Sequence, residues 1–131
     1  MPTAAETILA LSRVPLFAEL TPGQLGALAE AAAWESHPAG AVVVGGGGEG
    51  ESALYQVQSG ELRVERGEAW ESIPAGGTLG ERTLVLPEEL LPRVVAGPKT
   101  RVVRLAPADF ARVVEEHPQI ALAVARVLAR R

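Results

Sequence analysis

The sequence predicts an α+β fold, with helices at both ends of the chain and a run of short strands between them. Three observations carry this. Apolar residues recur at helical spacing at Leu25, Leu28 and Ala29, and again from Ile120 to Leu128. Between these stretches the period falls to two, as in Glu61-Leu62-Arg63-Val64-Glu65-Arg66. Turn signals of Gly, Pro and Ser punctuate the middle region every several residues, the spacing of a sandwich or jelly roll.

Each element follows from local chemistry. Ala4 to Ser12 is a short amphipathic pattern that ends ahead of Pro15, because the residue before a proline avoids the helical region. Leu16 and Phe17 form a hydrophobic anchor. Thr21 is a natural N-cap, Pro22 suits the first helical position and Gln24 completes the capping-box spacing, so a second helix runs to about Ala33. Pro38-Ala39-Gly40 is a turn into a β-branched strand, Ala41 to Val44. Gly45 to Gly50 is nearly all glycine, but it lacks the Gly-Lys-Ser/Thr ending and following helix of a nucleotide phosphate loop, so it reads as a turn.

Further strands are predicted at Ala53 to Ser59, Glu61 to Arg66, Trp70 to Ile73, Val94 to Ala96 and Thr100 to Leu105. Between them lie turns at Ser59-Gly60, Arg66-Gly67-Glu68, Pro74-Ala75-Gly76-Gly77 and Gly97-Pro98-Lys99. Pro107 opens a helix that carries Phe110, Val113 and Val114, and His117-Pro118 breaks it. Gln119 to Arg131 forms the last helix, with Ile120, Ala123, Val124, Val127 and Leu128 as its apolar stripe.

Composition narrows the function. The 131 residues fit one domain, divided at about 1–33 (helices), 34–106 (strands) and 107–131 (helices). A net charge of −4 argues against a nucleic-acid module. The basic residues Arg126, Arg130 and Arg131 suit a helix C-terminus. With no Cys, disulfides, thiolate catalysis and Cys-based zinc sites are excluded. No apolar run reaches the ~18–20 residues of a bilayer span. The N-terminus also lacks the basic and apolar regions of a signal peptide, so a soluble, cytoplasmic protein is expected. His37 and His117 lack ligand-spaced partners, so no metal site is predicted, and a metal-dependent jelly-roll enzyme is disfavoured with it. The adjacent pairs Glu88-Glu89 and Glu115-Glu116 read as solvated faces rather than a catalytic dyad, and no catalytic residues are assigned.

Several local signatures, in order along nearly the whole chain, resemble a cyclic-nucleotide-binding domain. Val14-Pro15-Leu16-Phe17-Ala18-Glu19-Leu20-Thr21-Pro22 is similar to the entry to that family's first helices. Ala53-Leu54-Tyr55 with Ser59-Gly60 resembles its central hairpin, and Leu79-Gly80-Glu81 the start of its phosphate-binding cassette. Asp109-Phe110 and His117-Pro118 resemble its C-terminal helical junctions. The resemblance implies an eight-stranded antiparallel jelly roll flanked by helices, and a regulatory rather than enzymatic role.

In that family the cassette's Glu accepts from the ribose 2′-hydroxyl, while backbone N–H groups and an Arg hold the cyclic phosphate. Carried onto this chain, Gly80 and Glu81 match. The places of the phosphate Arg and its neighbouring Ser/Thr are taken by Leu90 and Leu91, in a register that agrees when counted from either side. Arg82 stands where the family has an apolar residue, and Arg93 comes three residues too late. The implied module therefore has canonical cyclic-nucleotide binding weakened or lost, and needs no cofactor. The alternative is a working cyclic AMP or cyclic GMP sensor that uses Glu81 with Arg93 or Arg82. The helix Gln119 to Arg131 is the expected contact to a protein partner or attached effector domain, or to a second copy in a homodimer.

Overall fold

A computed structural model describes residues 1–46 and 52–131. Most of the glycine-rich turn expected at Gly45 to Gly50 lies outside them. Among the described residues, four α-helices flank eight strands in two antiparallel four-stranded sheets. The helices are α1 (Ala4–Ser12), α2 (Pro22–Ala31), α3 (Pro107–Glu116) and α4 (Gln119–Ala129). The strands are β1 (Ala33–His37), β2 (Val42–Val44), β3 (Leu54–Ser59), β4 (Glu61–Arg66), β5 (Ala69–Pro74), β6 (Thr78–Leu79), β7 (Val94–Ala96) and β8 (Thr100–Leu105). One sheet has the order β1-β8-β3-β6, the other β2-β7-β4-β5. This is the jelly-roll sandwich with flanking helices that the sequence predicts.

The capping chemistry forms as its residues dictate. Thr21 Oγ1 accepts from Gln24 N at 3.2 Å, and Gln24 Oε1 accepts from Thr21 N at 2.9 Å. Thr3 and Glu6 build the same box at the start of α1. Each satisfies two helix-end donors that would otherwise lack partners.

The two faces of the first sheet explain the burial of β3. One face carries Leu54, Val103 and Leu105 into a core shared with the helices, where Phe17 and Phe110 stack with ring centroids 6.2 Å apart. The other face carries Tyr55, Val57 and Val102 against Leu62, Val64 and Val94 of the second sheet. The second sheet buries one face only, so β4 shows the alternation read from its sequence.

Two elements depart from the sequence pattern. The helix expected to reach Ala33 stops at Ala31, and Ala33 begins β1. Alanine would continue a helix locally. Here β1 pairs along its length with β8, from Ala33↔Arg104 to His37↔Thr100, and Trp34 Nε1 donates to Thr7 Oγ1 at 2.9 Å. Tertiary pairing overrides propensity. The second departure is β6, two residues that pair with Tyr55 and Gln56 and are too short to show any period.

Candidate functional site

The candidate site begins where β6 ends. Gly80 takes a left-handed backbone, φ 81°, and Glu81–Leu84 follow as a 3-10 turn. Both the N–H and the hydroxyl of Thr83 donate to the Gly80 carbonyl, at 3.0 and 2.7 Å. A Cβ on Gly80 would lie 2.1 Å from the Ala53 carbonyl oxygen, so glycine is required here twice over, by its φ and by the neighbouring strand.

That backbone aims Glu81 inward, at the junction of the N- and C-terminal helical segments. Its Oε2 accepts from the Leu16 N–H at 3.2 Å, and its Oε1 accepts from Arg131 Nη2 at 2.7 Å. The pairing of Glu81 with Arg82 that adjacency suggests does not occur. Arg82 instead donates through Nε to Glu89 Oε2 at 3.0 Å, and the Glu89 carbonyl accepts from Ser52 Oγ at 2.8 Å. Glu89, read from sequence as a solvated acid, is thus a structural partner of the cassette segment.

The two leucines diverge. Leu90 is 57% exposed, whereas Leu91 is 8% exposed and joins the core between the sheets. Its Cδ1 lies 3.3 Å from the position a Cβ on Gly80 would take. Arg93 is half exposed, with Nη1 4.0 Å from Glu65 Oε2, while its carbonyl accepts from Glu65 N at 2.9 Å.

A cavity of about 280 Å³ lies against this segment. Gly80, Glu81, Arg82, Leu90 and Leu91 line it, so five of the six residues singled out from sequence come together there; Arg93 is not among the lining residues. Arg66, Glu89 and Arg131 also line it. Sequence offered no signal for Arg66 and Arg131, which arrive from β4 and from just beyond α4. Among the described residues the lining thus holds three guanidinium groups and two carboxylates, and each guanidinium is already paired: Arg66 with Glu71, Arg82 with Glu89, Arg131 with Glu81.

The remaining candidates lie elsewhere. His37 Nε2 sits 3.2 Å from Glu35 Oε1, and His117 lies beside α1 and α2. Among the described residues, no cluster of three His, Cys, Asp or Glu could hold a metal ion, and no helix is long and apolar enough to cross a membrane.

Comparison with known proteins places this architecture. The chain has the fold of the cyclic-nucleotide-binding domains. It is similar to a cyclic nucleotide-binding-like protein from Brucella abortus, at 29% identity and a TM-score of 0.67, over 84% of this chain and 98% of that one. It is similar to the regulatory domain of Toxoplasma gondii PKA, solved with cAMP, at 20% identity and a TM-score of 0.72, over 98% of this chain. It is also similar to the regulatory subunit of a cAMP-independent protein kinase A from Trypanosoma brucei, at 22% identity and a TM-score of 0.70, over 97% of this chain. The chain spans 50% of the length of the Toxoplasma gondii chain and 46% of the Trypanosoma brucei one. No family model matches the chain, and no curated protein does.

Proposed function

We propose that this chain is a non-catalytic regulatory module whose cyclic-nucleotide site is weakened or lost. One observation carries the reading: both carboxylate oxygens of Glu81 are engaged within the protein, by the Leu16 N–H and by Arg131. A ribose hydroxyl would have to compete for them. Leu90 and Leu91 at the expected phosphate positions add to the effect, since methyl groups offer an anion no hydrogen bond and desolvate it. Losing the cation opposite a buried phosphate costs about 3–5 kcal/mol. At about 1.4 kcal/mol per tenfold, a micromolar site becomes roughly millimolar.

The regulatory role is supported by the neighbours, which are regulatory and sensor domains. Among them are a PKA regulatory domain solved with cAMP and the regulatory subunit of a cAMP-independent protein kinase A, so the fold serves in kinases with and without that dependence. Output would pass through α4 to a partner or attached effector.

Titration calorimetry with cyclic AMP and cyclic GMP tests the proposal. Binding at millimolar strength or weaker is expected; low-micromolar binding overturns it. The presence of Arg82 in the cavity lining supports a second reading, a sensor using Glu81 for ribose and Arg82 for phosphate. That reading requires Arg82→Ala to abolish whatever nucleotide binding is measured.

A further inference from the structure

We infer a second binding surface, a basic groove at the far end of the sandwich that takes an extended acidic segment of a partner protein. The groove, about 510 Å³ and open to solvent, is lined by Ser36, His37, Pro38, Ser59, Lys99, Thr100 and Arg101. The pairing Leu54↔Leu105 puts one end of β3 and β8 beside the helices, so Ser59↔Arg101 marks the opposite end. The groove thus opens at the end of these strands away from the helices, with Arg101 reaching back over Trp34, which packs against the helical core.

Its charge is at odds with the rest of the chain. The protein carries a net −4, and among the described residues seven of the eleven arginines are seen in ion pairs with carboxylates. Among the described residues, none that lines the groove is acidic. Among the described residues neither Lys99 nor Arg101 has a carboxylate within ion-pair distance. Arg101 lies over the Trp34 ring, 4.9 Å from its centroid, which orients the guanidinium without neutralising it. Glu35 stands beside the groove and is paired to His37.

Lys99 supplies an independent observation. Among the described residues it is the one non-glycine with a left-handed backbone, φ 51°. Glycine or asparagine is the unstrained choice at such a position. The turn is pinned on both sides: Ser59 Oγ donates to the Lys99 carbonyl at 3.1 Å, and the buried Thr100 hydroxyl donates to the Gly97 carbonyl at 2.8 Å. A strained backbone thus presents a long cation beside Arg101, and strain of this kind is a mark of function.

The topology selects the occupant. β1 is the end strand of its sheet, so among the described residues its outer edge has no strand partner. An extended peptide can add to such an edge through backbone hydrogen bonds while its side chains read the neighbouring surface. Alternate acidic side chains of that peptide would meet Lys99 and Arg101. The two cations also steer an acidic partner toward an otherwise acidic protein.

Trp34 makes the test direct. In a Trp70→Phe background it is the only remaining tryptophan, and it sits under Arg101. The probe is a blocked Glu-Val-Glu-Val-Glu-Val peptide, with Lys-Val-Lys-Val-Lys-Val and pyrophosphate as the other arms. Saturable quenching or enhancement by the acidic peptide is expected, weakening as salt is raised. Lys99→Gly is expected to weaken that binding about tenfold while leaving the melting temperature unchanged or higher, since it relieves the strained backbone. Arg101→Ala in addition should remove the response. The inference is overturned if the acidic peptide gives no saturable change, if the lysine peptide binds as well, or if Lys99→Gly with Arg101→Ala binds undiminished. Saturation by pyrophosphate with displacement of the peptide overturns it in favour of a small-anion site.

Discussion

Glu81 and Arg131 lie 50 positions apart in sequence and 2.7 Å apart in space, joined by a guanidinium–carboxylate contact between the cassette turn and the end of the last helical segment. The same carboxylate holds the Leu16 N–H of the N-terminal 3-10 turn Pro15–Phe17. One side chain therefore ties three separate parts of the fold. Next to it, Arg130 contacts Glu19, so the two final arginines are both fastened to the body of the protein.

The two contacts of Glu81 should differ in worth. The Arg131 side chain is 43% exposed, so its pair is screened and Arg131→Ala should cost about 0–1 kcal/mol. Glu81→Ala also leaves the partly buried Leu16 N–H without an acceptor, and should cost about 1–3 kcal/mol. Urea denaturation of the two variants measures the difference. Equal losses would mean that the backbone contact contributes nothing.

Gly80 makes the cassette opening a structural requirement whether or not a ligand binds. Gly80→Ala combines a left-handed φ with a Cβ 2.1 Å from the Ala53 carbonyl oxygen, and should destabilise by about 3 kcal/mol or more. Gly76→Ala has a similar φ, 91°, but meets nothing within 4 Å, and should cost about 1–2 kcal/mol. The two melting curves side by side separate backbone strain from collision.

These contrasts show what the sequence could disclose. The capping boxes, the alternation of β4 and the breaks at Pro38 and His117-Pro118 are local chemistry, legible in a few residues. β1 was hidden because Ala31-Ala32-Ala33 reads as helix until β8 is present to pair with it. Within the site, Gly80 and Glu81 were legible through their motif. The partners of Glu81 were not, since Leu16 and Arg131 reach it only through the packed fold, and nothing distinguishes Arg131 from the two arginines near it in sequence. The opposite fates of Leu90 and Leu91 depend on which way the loop turns before β7, which adjacent leucines do not encode.

Glu61 provides a pH-dependent test on the second sheet. The Ser72 hydroxyl and the Arg63 guanidinium, the latter at 2.8 Å, both favour its charged form and hold its pKa below the usual carboxylate range. A folded-state pKa below the unfolded one gives a stabilisation that is present above the unfolded value and is lost as pH falls through the folded value. The stability gap between the native protein and Glu61→Gln should therefore be open at neutral pH and close in acid. Thermal melts across that range check the sign; a gap that widens in acid contradicts it.

Leu90 is where a weakened or lost cyclic-nucleotide site is tested most directly. This side chain is 57% exposed and lines the cavity, so Leu90→Arg should change stability by less than about 0.5 kcal/mol while placing a cation at the expected phosphate position. Leu91→Ser is not its equal: it removes a side chain packed between the sheets and should cost about 2–4 kcal/mol. If the missing cation is what weakens the site, Leu90→Arg alone should raise cyclic AMP affinity by about tenfold or more. Adding Arg131→Ala, which frees one oxygen of Glu81, should raise it further. Calorimetric titration of the three proteins reads both steps. An affinity unchanged by Leu90→Arg but raised by Arg131→Ala would put the block at Glu81 alone, and a site unmoved by either change would mean that neither leucine nor latch is what excludes the nucleotide.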